Sequence, residues 1–255
     1  MDEARRFLRY VIPGLLFGVQ LCVLMLVLLP GWTSQSMAEF ASRDEAIGIA
    51  VTGLILSGGL GYLMSSFHHA IYWCKLDWVG GPDYAGYVRR LGKATGPLLI
   101  QDARTGEELA PGATLSKFEA WAFVTSVWHE HARKSKLLEG ADARALSLSD
   151  LIHATGTARV ASVFSLIVTY WLAASVSTRS FEPEAEWRFL GATALGLLFI
   201  VVHHAGYQRT KRSTQLIVEQ VLRDALVVLA IHKGQRIVTW LPRSAALHAA
   251  VSRPD

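Results

Sequence analysis

A run of twenty residues without a charge, YVIPGLLFGVQLCVLMLVLL at 10–29, constrains this chain more than any other feature. A helix rises ~1.5 Å per residue, so about 20 apolar residues cross the hydrocarbon of a bilayer. Gln20 is the one strongly polar side chain in the run. Pro13 falls in the first turn, where a missing N–H costs little. Three further apolar runs follow, at 46–67, 160–176 and 187–204, the last with Arg188 near one interface. Tyr10, Trp32, Tyr72, Trp73, Trp187 and Tyr207 cluster near the ends, where amphipathic rings favour the headgroup layer. A signal peptide is the competing reading of the first run. Arg5, Arg6 and Arg9 would form its basic end and Ser36-Met37-Ala38 its cleavage site. The run exceeds the ~7–15 residues of a signal core, so it is read as a retained span.

Charge sorts the connections. Segment 30–45 carries Arg43 beside Glu39, Asp44 and Glu45, and segment 177–186 carries Arg179 beside Glu182, Glu184 and Glu186. Most other Lys and Arg residues lie at the N-terminus, in 75–159 and after Arg209, which the positive-inside rule places in the cytoplasm. The formal net charge of +4 is explained this way, and no specific nucleic-acid binding is expected. Charged residues make up only 18% of the chain, against about 25% in soluble domains, in keeping with membrane spans. Cys22 and Cys74 form no disulfide framework and lack metal-motif spacing.

The expected fold is an all-α integral membrane protein, a four-transmembrane-helix bundle with both termini cytoplasmic. Residues 1–74 hold spans one and two, and 75–158 form a small, mostly α cytoplasmic domain with a short β-hairpin. Residues 159–207 hold spans three and four, and 208–255 a cytoplasmic C-terminal helix and tail. The hairpin is read from Pro97 to Ile100 and Glu108-Leu109 flanking Arg104-Thr105-Gly106. A helix should start at Ser116, which has capping-box spacing to Glu119, and end near Gly140. Phe118, Trp121, Thr125 and Trp128 fall on one face of it and read as core. Another helix should begin near Ser149-Asp150 and bend at Gly156. Ser213 or Thr214 should cap a C-terminal helix ending before Gly234, with a strand-like segment at 235–241.

Small residues four apart form ridges that let helices approach closely in lipid. The second span has Gly53, Ser57, Gly61 and Ser65. The third has Ala161, Ser165, Thr169, Ala173 and Ser177, and the fourth has Ala192 and Gly196. The second and third spans should therefore pack together, within one subunit or across a homo-oligomer interface. Gly58-Gly59 with Gly61 marks a candidate hinge.

No phosphate loop, nucleophile elbow or C-x-x-C occurs. The spans lack acidic or basic residues away from their ends, which argues against proton- or ion-coupled transport. The unusual feature is histidine. His68-His69 and His203-His204 close the second and fourth spans, and His129, His131 and His153 lie in the central segment. The first two pairs read as interfacial groups or as a pH-sensing or ligand cluster. A histidine-rich cytoplasmic face over four spans resembles the membrane di-iron desaturases and hydroxylases in topology and histidine count. That resemblance implies an iron- or zinc-dependent enzyme acting on lipid, with His68, His69, His129, His131, His203 and His204 as ligands. Here the paired histidines are adjacent, about 100° apart on a helix, whereas that family spaces them three or four apart. Arg89, Arg90, Lys93, Arg133, Lys134 and Lys136 are candidate phosphate or lipid contacts.

The reading favoured by these features is a non-enzymatic inner-membrane protein without catalytic residues or cofactor. Several copies would form a pore or perturb the bilayer, controlled by a small molecule or soluble partner at the cytoplasmic domain. The alternatives are the metal enzyme and a membrane anchor for a soluble partner.

Overall fold

The computed structural model describes residues 7–31, 33–35, 46–74, 76, 78–94, 100–102, 108–109, 116–127, 139–176, 185–233 and 237–239. They form six helices and three short strands. A π-type turn over Phe7–Val11 leads into α1, Ile12–Leu28. Then come α2, Ala46–Tyr72, and α3, Tyr84–Ala94. The strands β1, Ile100–Asp102, and β2, Glu108–Leu109, precede α4, Lys117–Val127. Two long helices follow, α5, Glu139–Val176, and α6, Ala185–Lys233, and the last strand is β3, Ile237–Thr239. The chain divides into two compact units, 1–72 with 149–210, and 73–148 with 211–255.

Among the described residues, three helical segments are long and apolar enough to cross a membrane, Arg9–Leu28, Ser147–Ser175 and Glu186–Arg223. This is the build of a helical membrane protein. The fourth expected span corresponds to α2, 27 residues or about 40 Å long.

The last two helices are longer than the sequence reading. The helix expected from Ser149-Asp150 begins at Glu139, and Gly140, expected to end a helix, lies in the first turn of α5. Gly156 does not interrupt it. No proline occurs between Glu139 and Val176, and one glycine costs only about 1 kcal/mol. Likewise α6 absorbs both the fourth apolar run and the expected C-terminal helix. Residues 207–233 contain neither glycine nor proline, and the Thr210 hydroxyl bonds back to the Gly206 carbonyl at 2.9 Å. Ser213 and Thr214 therefore lie inside a helix and cap nothing.

In the first unit, α1 and α2 meet at glycine. A β-carbon on Gly14 would overlap the Ser57 carbonyl, and one on Gly61 would overlap the Tyr10 carbonyl. Ser57 thus packs on α1, and Gly61 on the turn that precedes it. Gly58, Gly59 and Gly61 sit within continuous helix. Phe17, Met64, Val160 and Ala161 form an apolar core shared by α1, α2 and α5. On α6, Ala192 is buried, and a β-carbon on Gly196 would crowd Leu166 of α5.

In the second unit, β1 lies between β2, its antiparallel partner, and β3, its parallel partner. Ile100 faces Leu109 on one side and Ile237 on the other. The capping box of α4 is formed: Glu119 N–H donates to Ser116 Oγ at 3.2 Å, and Ser116 N–H donates to Glu119 Oε2 at 2.7 Å. Ala120, Ala122, Phe123 and Val124 are the buried residues of α4. Phe118, expected in the core, is 44% exposed, and it and Trp121 pack on Trp73 with ring centroids 5.7 and 5.6 Å away. Trp128 lies outside the described residues. Lys117 and Lys211 fasten the 74–82 segment by donating to the Cys74 and Gly80 carbonyls at 3.1 and 2.9 Å.

Replacing Gly61 by Leu should force α1 and α2 apart and cost about 1–3 kcal/mol or more. Gly53 has open space around it. Gly53→Leu should therefore stay within about 0.5 kcal/mol of the parent. Thermal melting in detergent, followed by size-exclusion chromatography, reads both; equal losses would contradict the close approach at Gly61.

Candidate functional site

The first unit has a polar interior. Along α5, His153, Thr157, Ala161, Ser165 and Thr169 follow one another at intervals of four and so share a face. Thr157, Ala161, Ser165 and Thr169 are fully buried. The hydroxyls are satisfied in the usual way for helices in oil, by bonds to carbonyls of the preceding turn. Thr157 donates to His153 O at 2.8 Å, and Thr169 donates to Ser165 O at 2.7 Å. Across the bundle, Ser165 Oγ lies 3.2 Å from Gln20 Oε1 on α1, and Gln20 is itself buried. Such interhelical bonds contribute about 0.6 kcal/mol each on average. Near the far end, Tyr170 and Thr193 join α5 to α6 through their hydroxyls.

Histidines gather where α2, α5 and α6 converge. His68, one turn before the end of α2, is fully buried. Its ring fits because residue 156 is glycine, since a β-carbon there would overlap the imidazole. The expected bend at Gly156 is instead a socket. His68 Nε2 lies 3.4 Å from His153 Nδ1, so one of the two rings donates to the other. His68 Nδ1 is buried with no hydrogen-bond partner. Tyr72 and Tyr207 place their rings edge-on to His68, with centroids 5.7 and 5.8 Å away. His69, the next residue, is exposed and stacks against His153 at 4.7 Å.

A second group adjoins the first. The Arg159 guanidinium, buried, sits 4.2 Å from the centre of the Tyr207 ring and 3.5 Å from His204 Nδ1. Arginine can only donate, so His204 Nδ1 accepts, and His204 Nε2 lies 3.5 Å from the Gln208 amide Nε2. The His203 Nδ1–H faces the Phe199 carbonyl at 2.8 Å and Ser162 Oγ at 2.9 Å, while Ser162 donates to Ala158 O at 3.0 Å. One turn before His153, buried Asp150 pairs with Arg9.

The structure brings His68 and His69 together with His153, and links them to His203 and His204 through Tyr207, Arg159 and Ser162. His68 Nε2 faces His153, His203 Nδ1 is engaged by Phe199 and Ser162, and His129 and His131 lie outside the described residues. Among the described residues no three His, Cys, Asp or Glu side chains converge on a metal position. Of the phosphate candidates, Arg90 forks onto Glu219 with both bonds at 3.1 Å, which raises the Arg90 pKa. Arg89 lies 3.9 Å from Asp83. The side chains of Lys93, Arg133, Lys134 and Lys136 lie outside the described residues. Ala173 is half-buried and Gly53 exposed. Ser177 lies outside the described residues.

Sequence reading missed Arg159, Asp150, Arg9 and the Gln20–Ser165 contact. Asp150 and Arg159 lie in the first half of the candidate span Ser147–Ser175. One signal was present. The four-residue stripe at Ala161, Ser165 and Thr169 extends back to Thr157 and His153 once the helix is started early enough.

Long apolar helices around a polar, histidine-bearing interior define a membrane protein by architecture alone. No protein-family model, no curated protein and no solved structure matches the chain.

Gly156→Ala should expel the His68 ring and lower stability, while in a His68→Ala background the same change should cost much less. The coupling expected for two touching residues is about 0.5–3 kcal/mol. A double-mutant cycle on thermal midpoints in detergent measures it, and strict additivity would contradict the socket.

Proposed function

We propose that this chain is a multi-pass inner-membrane protein that changes bilayer permeability and performs no catalysis. In this reading α1, α2 and the apolar parts of α5 and α6 are four spans. Both termini and segment 75–158 are cytoplasmic, following the distribution of Lys and Arg. Several copies associate in the membrane, and a small molecule or soluble partner acting on the cytoplasmic residues controls the bundle.

The observation that carries this reading is the polar seam. A bundle that only anchors a partner can be apolar throughout, because each interhelical polar bond adds only about 0.6 kcal/mol on average. Here Gln20, Ser57, His68, Arg159, Ser162, Ser165 and Thr169 are all buried. Ionisable groups inside membrane helices, such as His68 and Arg159 here, mark ion pathways and other functional sites.

Two measurements test the proposal. A cysteine introduced at Thr105 should resist an impermeant maleimide in intact cells, whereas one at Ser180 should react. Purified protein in liposomes should release trapped potassium or chloride faster than protein-free vesicles. Gln20→Leu, which removes the amide from the seam at similar volume, should slow that release while leaving the elution profile unchanged. Leakage at the protein-free rate would overturn the proposal and leave the anchor and metal-enzyme readings.

A further inference from the structure

We infer that the second unit carries a lipid-docking face, built from Trp73, Leu76, Trp78 and Phe118 and seated in the headgroup layer of the bilayer where the chain leaves α2. This rests on the reading of α2 as a span and is independent of permeability.

The face exposes residues that a soluble domain would bury. Leu76 and Trp78 are 58% and 65% exposed, and Phe118 is exposed as well. These residues belong together. The Phe118 ring packs on Trp73, and Trp121 completes a three-ring group, 5.6 Å from each of the other two. Lys117, the neighbour of Phe118, donates to Cys74 O at 3.1 Å, and its Nζ would lie 3.1 Å from a β-carbon on Gly80. It therefore touches both ends of the stretch that presents Leu76 and Trp78. The buried side of α4 is a different set, with Ala120, Phe123 and Val124. Large apolar side chains exposed side by side mark a contact with a partner or a membrane.

Two observations point to lipid. The first is length. Helix α2 has 27 residues, or about 40 Å, and the hydrocarbon with both headgroup layers is about 40–45 Å thick. A helix of that length crossing the bilayer ends inside the headgroup layer, and Trp73 is the next residue. Tryptophan, with an apolar body and one N–H, favours that depth. The second is the backbone of the segment. Close to the hydrocarbon, less water reaches a peptide carbonyl, so the protein must supply the donors. Here it does. Val79 and Gly80 N–H donate to Leu76 O at 3.2 and 2.7 Å, Lys117 donates to Cys74 O, and Lys211 donates to Gly80 O at 2.9 Å. The two ammonium groups also bring positive charge to the segment, which suits anionic headgroups. Neither feature is required of a surface that docks a soluble protein.

The test attaches an environment-sensitive dye to the full chain in phosphatidylcholine vesicles, at Trp78→Cys or Phe118→Cys, in a background of Cys22→Ser and Cys74→Ser. Leu54→Cys, exposed on α2, is the reference within the span. The two quenchers are lipid with a nitroxide near the head of its acyl chain and iodide in the water. The lipid should quench the labels at 78 and 118 severalfold more strongly than iodide does. Strong iodide quenching with weak lipid quenching overturns the docking. Weak quenching by both also overturns it and shows that protein covers the face. A label at 54 that escapes the lipid quencher removes the span, and the inference falls with it. Vesicle leakage is read separately and stands or falls on its own. Two sites are labelled so that misfolding of one variant, read by elution profile, does not decide the result.

Discussion

Hydrocarbon offers no hydrogen bonds, and each polar group within the first unit is placed under that constraint. Serine and threonine on α5 turn back to their own helix, so a polar stripe runs through the bundle without unsatisfied hydroxyls. Imidazole cannot do this as readily, because its two nitrogens point in different directions. His203 engages one of them, Nδ1, with a carbonyl of its own helix and a hydroxyl from α5. His68 likewise engages one, Nε2, with His153. The architecture around His68, with Gly156 beneath the ring and two tyrosines at its edge, holds the group in place although one nitrogen gains nothing from folding.

The close approaches follow from the same constraint. Apolar side chains do not drive helices together in lipid, because the lipid tails are equally apolar. Contact must come from shape, which is why α1 and α2 meet where Gly14 and Gly61 expose backbone. The spacing of small residues on α2 was legible in the sequence, but its partner was not. A ridge shows that a helix can be approached, and only the positions of other helices decide by which one. The third-span stripe was legible in the same limited sense. Its hydroxyls meet Gln20 on α1, a residue that the sequence marks only as a polar interruption in an oily run.

Local chemistry was the most readable part. The Ser116–Glu119 box and the hairpin pairing of β1 with β2 depend on residues close in the chain. Helix ends were less readable. Nothing in 207–233 compels a helix to stop, and a serine that can cap a helix can equally sit inside one. The parallel pairing of β1 with β3 joins segments more than 130 residues apart, and no local pattern encodes it. Arg159 was hidden for a related reason. Counted among the basic residues of 75–159, it drew no separate notice, yet the early start of α5 puts it among buried residues.

The unmatched nitrogen of His68 also biases the bundle between dryness and wetness. A buried polar atom left without a partner costs about 1–3 kcal/mol, and a single water molecule reaching it would recover most of that. The dry arrangement is therefore poised toward solvation at one defined atom. The first water to enter the seam has a preferred berth, and the imidazole resonance of that ring would register its arrival.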